Sequence, residues 1–291
     1  LTGPPTEPAP AAWADLRQWA YAALIDDAAA SGDHARALTL ALAELGQPVI
    51  AGCAMATSLD DDRWSTVVRG ADGQLHGARG RTGRVLTVDS ATLAPADLRA
   101  ALAGCDRIAV IARPPLHGRA DLLPPALPWA LIGPTTAQAR APHGGPALIV
   151  RDARPPAALG LPVVGTAVVE HAGDVTLAGD DASPSRVLAA LADASYVELH
   201  AHGLLAPGAA ASAVIALSPD RDGRYTLSGA DLAAAHLGGA PVVVLAACRA
   251  ATVTLEVGRR WSLPDALLAA GASAVIATSA AIPDDDAIEF S

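Results

Sequence analysis

The sequence contains no lysine and no asparagine, so every basic residue is an arginine. This bias reads as the mark of a GC-rich genome rather than of a function. No basic run occurs and the formal net charge is −10. Phosphate backbones are held by clustered Lys and Arg, so a nucleic-acid partner is not expected. No uninterrupted apolar stretch reaches the ~18 residues that suggest a membrane helix, and no span is expected. Aromatic residues make up only 3% of a chain that is 52% hydrophobic, so the core must be built from Ala, Val, Leu and Ile. Cysteine is scarce too: Cys53, Cys105 and Cys248 lie far apart and lack metal-type spacing. Their odd number, with no secretory leader, reads as reduced thiols in a cytoplasmic protein, Cys53 and Cys105 being core or surface thiols. The chain starts at Leu1 and stops just after an acidic loop, and is expected to be a fragment or a processed piece.

What is present is an ordered series of elements. Residues 1–10 are rich in Pro and read as disordered. Residues 11–45 carry a helical pattern, with Trp13, Leu16, Ala20 and Leu24 suggesting one apolar face. Ser31-Gly32-Asp33 breaks it, and a second helix runs through Ala37, Leu40, Ala41 and Leu45. Residues 1–46 are therefore expected to form a tail and helical hairpin, and residues 47–291 the main domain. Strands are expected at 49–57, 64–69 and 85–88, with a turn at Ala71-Asp72-Gly73, as a meander. Strands and helices then alternate. Strands are expected at 107–112, 147–150, 195–201, 241–247 and 273–278. Helices are expected after Pro95, Ser183, Ser228 and Ser262. PVVVLAA is apolar on both faces, as central parallel strands are. The order implies an α/β fold with a mostly parallel sheet.

Two of these strands end on reactive residues. YVELHAHG ends on His202-Gly203, where strand gives way to loop, and PVVVLAACRA carries Cys248 at its carboxyl edge. Open α/β sheets bind ligands beyond the carboxyl ends of their strands. Neighbouring parallel strands joined by one capped helix bring His202 and Cys248 to the same rim. A free thiol, of pKa about 8.5, is only a few per cent thiolate at neutral pH. An imidazole nearby takes its proton and later protonates the leaving amine. The backbone N–H groups of Gly203 and Cys248 are the candidate oxyanion donors. A Gly at 203 lets a substrate carbonyl approach without a Cβ in the way.

The arrangement resembles the caspases, in which a His precedes a Q-A-C-R-G run by about 50 residues. Here the run is Ala246-Ala247-Cys248-Arg249-Ala250. More fully, residues 105–286 resemble the CHAT family of caspase-like domains, often found beside tetratricopeptide repeats in bacteria. The resemblance is carried by IAVIARPPLHG, LPWALIGPT, PALIVRDARPP, VTLAGDDASPSRVLAAL, LHAHG, VVVLAAC and LPDALLAAGASAVIATSAAIPDDD, in that order. It implies a caspase-like three-layer α/β/α sandwich and a bacterial, regulated cysteine endopeptidase that uses His202 and Cys248 and needs no cofactor or metal. It allows a role in defence, a gasdermin-like protein substrate, and a regulatory partner or repeat domain. The stretch SGDHARALTLALAEL resembles one helix of such a repeat. Ala246 departs from the Gln of caspases and the Asp of metacaspases, so neither cleavage preference carries over.

Other residues are weighed beside the dyad. Glu198, on the His strand, and Asp284, Asp285 and Asp286, in the final acidic loop, are candidates for substrate binding. Arg259 and Arg260 mark a possible activation or gating loop. His117 reads as structural and His143 as solvated. Two rival readings stay open: a non-catalytic scaffold of CHAT type, and a metal-dependent hydrolase built on the His200-x-His202 pair.

Overall fold

The computed structural model describes residues 10–60, 62–82, 88–113, 115–133, 144–165, 171–205, 213–252, 254–256 and 259–281. The chain divides into two compact units, residues 1–134 with 255–260 and residues 135–254 with 261–291.

The first unit opens with a helical hairpin, α1 (Pro10–Ala30) and α2 (His34–Glu44). Asp33 ends the break between them by accepting the N–H of Arg36 as the N-cap of α2. Ala37, Leu38, Ala41 and Leu42 line the buried stripe of α2. Among the described side chains of α1 the buried ones are Ile25 and Ala28, whereas Leu16 is 57% exposed and Leu24 41%; the Trp13 side chain lies outside the described ones. The apolar face expected through Leu16, Ala20 and Leu24 is thus the outer one. Alanine surrounds this helix, so its sequence has little periodicity to show which side packs.

The hairpin is not a separate body within this unit. It packs on a five-stranded sheet of β1 (Cys53–Asp60), β2 (Arg63–Arg69), β3 (Leu75–Arg81), β4 (Ile108–Ala112) and β5 (Trp129–Leu131), in the order β3-β2-β1-β4-β5. The first three strands are an antiparallel meander, and β4 and β5 join in parallel. Ala54, Ala56, Val67 and Ile111 face the hairpin core. Met55, Val68 and Val110 face a second cluster with Leu98 and Leu102 of α4 (Ala96–Leu102), beyond the short α3 (Ser90–Leu93). Arg113, just past β4, donates to Glu44 at the end of α2 at 2.8 and 3.2 Å, and both side chains are 6% exposed. Deleting one partner of such a buried pair costs about 3–5 kcal/mol. The hairpin of residues 10–44 is therefore anchored to the sheet of the same unit. β3 falls outside the strands expected from the pattern, which its Gly77 and Gly80 hide. A Cβ at 80 would meet the Trp64 indole at 2.8 Å. Of the strand expected at 85–88, residues 85–87 lie outside the described residues, and Val88 lies outside any strand.

The second unit holds an all-parallel sheet, in the order β15-β12-β8-β6-β7. Its strands are β6 (Ala147–Arg151), β7 (Val175–Ala178), β8 (Tyr196–His200), β12 (Val242–Ala246) and β15 (Ala274–Ala277). Between β8 and β12 a small antiparallel sheet is formed by β9 (His202–Leu205), β10 (Ala213–Ala216) and β11 (Thr226–Ser228). Helices α5 (Pro184–Leu191), α6 (Gly229–Ala234) and α7 (Leu263–Ala270) bury Val187, Leu191, Leu232 and Leu267 against Val197, Leu199, Val243 and Leu245. Ser228 and Asp231 form a reciprocal capping box on α6. Ser262 caps α7, which ends at Gly271 with φ 117°. In the chain, α7 is preceded by a two-stranded ribbon, β13 (Thr254–Glu256) and β14 (Arg259–Trp261), most of which belongs to the first unit. The fold is mixed α/β with an N-terminal helical segment and an all-parallel sheet, in keeping with a caspase-like sandwich.

Cys53 and Cys105 form a disulfide, which corrects their reading as separate thiols. Cys53 opens β1, opposite Ile108 of β4, and Cys105 lies three residues before that position, so parallel pairing draws the two together. Disulfides persist in oxidising compartments, so the cysteines no longer argue for a reducing one. No described helix is long and apolar enough to cross a membrane. The disulfide closes a segment of 52 residues, and its loss is expected to cost about 2–4 kcal/mol. Thiol titration of unfolded, unreduced protein should find one thiol, rising to three after reduction. Cys53→Ser with Cys105→Ser should lower the melting temperature, and an unchanged melt would refute the crosslink's role.

Candidate active site

The parallel strands β8 and β12 run side by side with His200 opposite Ala246. Each chain continues two residues beyond that pair, to His202 and to Cys248. The Ala201 N–H still reaches the Ala246 carbonyl at 3.4 Å. Both reactive residues therefore leave the sheet at the same carboxyl rim. His202 does not enter a loop, as the sequence suggested, but begins β9, with Gly203 opposite Ile215 of β10.

The tightest contact at this rim is between Gly203 and Cys248. A Cβ on Gly203 would lie 1.8 Å from the Cys248 carbonyl oxygen and 3.2 Å from its nitrogen. The glycine is thus required by the backbone of the cysteine turn itself, a more immediate reason than room for a substrate. Cys248 is half-buried and not disulfide-bonded.

The turn that carries Cys248 is closed by the Ala250 N–H on the Ala247 carbonyl at 3.3 Å and continued by the Thr252 N–H on the Arg249 carbonyl at 2.9 Å. Arg249 takes φ 56°. A non-glycine residue in that region costs about 1–2 kcal/mol. The turn is held from the end of β15. The Arg249 N–H donates to the Ala280 carbonyl at 3.0 Å, the Ala251 N–H to the Thr278 carbonyl at 2.8 Å, and the Thr278 hydroxyl to the Ala247 carbonyl at 2.7 Å.

His202 is oriented from the other side of β8. Its Nε2 lies 2.7 Å from the carbonyl oxygen of Pro162. A carbonyl only accepts, so Nε2 carries the proton, and in the neutral ring Nδ1 is left as the acceptor. Pro162 belongs to the segment that comes after β6. That segment is pinned upstream, where the Arg154 N–H donates to Ser218 Oγ and Ser218 Oγ donates to the Gly179 carbonyl, each at 2.7 Å. A main-chain carbonyl has no side-chain signature, and nothing in the sequence marks Pro162.

Below the rim, β8 carries a polar stripe at alternate positions. Tyr196 donates its hydroxyl to Glu198 Oε1, and Glu198 Oε2 lies 3.2 Å from His200 Nε2. His200 is 3% exposed and the Glu198 side chain 14%. The Glu198 carboxylate is thus engaged by its own strand, and lies four residues, roughly 13 Å, back from His202. Burial, then the hydrogen bond to Glu198 and its charge, push the Tyr196 phenol up to about 12.

His200 and His202 engage different acceptors, and among the described residues no group of three or more His, Cys, Asp or Glu could hold a metal ion. His117 is buried, with Nδ1 3.2 Å from the Ala112 carbonyl, in the first unit. Arg259 and Arg260 open β14. Asp284, Asp285, Asp286 and His143 lie outside the described residues.

A family model described as CHAT domain matches residues 131–291, more than half of the chain. No curated protein matches.

Two outcomes are expected from this geometry. Gly203→Ala must displace the Cys248 backbone, and reaction of Cys248 with a peptide-like electrophile should fall by about 100-fold. Labelling within a few-fold of wild type would show that the rim tolerates a Cβ. Ultraviolet titration of wild type minus Tyr196→Phe should show a phenol ionising near pH 12. Because this acid's folded pKa is raised, its stabilisation is complete below the ordinary value near 10 and is lost as pH rises through the folded value. Ionisation of Tyr196 near pH 10 would show that the stripe is open to solvent.

Proposed function

The chain belongs to the CHAT domain family, and we propose that it is a cysteine endopeptidase that cleaves a specific protein through Cys248 and His202. The observation that carries this reading is the rim itself. Gly203, next to His202, packs on the backbone of Cys248, and the Pro162 carbonyl sets the His202 tautomer. In this reading His202 Nδ1 takes the thiol proton as Cys248 Sγ bonds to the scissile carbonyl carbon. The electron pair of the C=O bond moves to oxygen, and the N–H groups of Gly203 and Cys248 receive the oxyanion. The imidazolium then protonates the leaving amine as the C–N bond breaks, leaving a thioester. A water gives its proton to Nδ1 and attacks that thioester, which releases the new carboxyl end and restores the thiol. The cycle calls on no cofactor.

The finer parts of the proposal rest on the family resemblance. They are a bacterial, regulated enzyme and a substrate of the gasdermin-like class. The ribbon bearing Arg259 and Arg260 comes directly after the nucleophile turn in the chain, which suits an activating cut or a gate. Asp284 to Asp286 are the candidate receivers of a basic side chain, because Glu198 is spent on Tyr196 and His200.

With Cys53 and Cys105 paired, Cys248 is the one thiol available to label. Tripeptidyl fluoromethyl ketones should modify Cys248 stoichiometrically, with or without chelator. The reaction should vanish in Cys248→Ala and fall by at least about 100-fold in His202→Ala. Iodoacetamide labelling of Cys248 without ketone labelling, and with no cleavage of a broad peptide library, would favour the scaffold. Loss of labelling with chelator would favour the metal-dependent reading.

A further inference from the structure

We propose that Thr278 is a positioning residue for the nucleophile, holding the peptide group that carries the Cys248 N–H. The chemical meaning of this role rests on the endopeptidase reading, while the contact itself is geometric. The Thr278 hydroxyl has two carbonyls in reach, Ala247 at 2.7 Å and Ala280 at 3.3 Å. A hydroxyl has one proton to give, and the shorter distance is the usual O–H···O length, so the bond goes to Ala247. That carbonyl belongs to the same planar trans peptide unit as the Cys248 N–H. Carbonyl and N–H point in opposite directions across the unit, so fixing one fixes the other. A donor on the carbonyl also polarises the peptide and strengthens its N–H as a donor.

The next peptide unit is held from the same source, because the Arg249 N–H donates to the Ala280 carbonyl. Further along the turn, the Ala250–Ala251 unit is tied by the Ala251 N–H to the Thr278 carbonyl. Two residues just past β15, Thr278 and Ala280, thus form a strap of three bonds on the turn, and it grips the one residue there with a strained backbone, Arg249 at φ 56°. Two of the three grips are main-chain and would survive any side-chain change. The Thr278 hydroxyl is the grip that depends on residue type, and it bears on the peptide unit that carries the Cys248 N–H.

The test compares Thr278→Val, which removes the hydroxyl and keeps the branched shape, with Thr278→Ser, which keeps the hydroxyl. Two reagents are used on Cys248. Tripeptidyl fluoromethyl ketones form an adduct that needs an oriented thiol and oxyanion donors, and iodoacetamide needs only access. In Thr278→Val, ketone labelling should fall by about tenfold or more and iodoacetamide labelling should change less than about threefold. Thr278→Ser should restore the ketone rate. Hydrogen exchange at the Arg249 and Ala251 amides should quicken in Thr278→Val and not in Thr278→Ser, at an unchanged melting temperature. An equal fall with both reagents, or no fall with either, would overturn the positioning role. Wild-type protein that takes iodoacetamide and not the ketones would overturn the endopeptidase reading and with it the catalytic meaning of Thr278. In that case unchanged exchange at the two amides in Thr278→Val would overturn the strap as well.

Discussion

The site depends on how closely the central strand β8 is gripped by the backbone of its neighbours. At its carboxyl end, Gly203 lies where a Cβ would be 1.8 Å from the Cys248 carbonyl oxygen. At its amino end, Gly145 and Gly239 make the same kind of contact, with Cβ positions 2.3 Å from the Asp193 carbonyl oxygen and 2.1 Å from that of Ala194. Gly145 leads into β6 and Gly239 into β12. Each strand flanking β8 is therefore set against it before pairing begins, and the pairing of Pro146 with Ser195 and of Ser195 with Val242 comes next. With both ends set, β8 and β12 cannot slip, and His202 and Cys248 must leave the sheet together. A one-residue slip would turn Val197 and Leu199 out of the core, so the packed face and the reactive rim enforce one register.

The two faces of β8 serve different ends. Val197 and Leu199 bury themselves among α5, α6 and α7, which stabilises the unit by the ordinary burial of apolar area. Tyr196, Glu198 and His200 occupy the other face, where burying polar groups is tolerable only if they satisfy one another. They do so in sequence along the strand. The stripe ends at His202, whose partner comes from outside the strand, in the Pro162 carbonyl. β6 supplies the segment that orients the imidazole, β12 supplies the thiol, and β15 supplies the strap on the thiol's turn. Each of four adjacent strands contributes one part at the same edge, as expected of a site at the carboxyl end of a parallel sheet.

Much of this was legible in the residues. Ser228 and Ser262 announce helix starts because a capping side chain acts within three residues of itself. VVVLA announces a central strand by its unbroken apolar run, with Val243 and Leu245 buried and the alternate face half-buried. What was hidden depends on contacts far apart in sequence or on groups every residue has. Cys53 and Cys105 are 52 residues apart, and only the β1–β4 register brings them together. Pro162 acts through its carbonyl and Ala280 likewise, so neither leaves a side-chain trace. The face of α1 was hidden for the opposite reason: alanine and leucine surround it, and only the sheet decides which side is covered. Thr278 looks like any β-branched residue closing a strand, until the turn it meets is known.

Arg249 bears on the choice between an enzyme and a scaffold. A turn residue with positive φ is most cheaply a glycine or asparagine. Here the position directly after the thiol holds an arginine at about 1–2 kcal/mol of backbone cost, kept there by the Ala280 carbonyl. A surface that only binds a partner gains nothing from straining the residue beside one particular cysteine. A thiol that must meet a carbonyl carbon at one angle gains from a turn with a single conformation. Backbone strain of this kind gathers where a site must be held ready before its ligand arrives. The arginine, the glycine on which the cysteine backbone packs, and the imidazole tied to Pro162 all fall at one rim, on three neighbouring strands. Positive φ occurs at Asp152 and Ala240 as well, so it is the meeting of strain, glycine and oriented imidazole beside one thiol, not strain by itself, that a catalytic reading draws on.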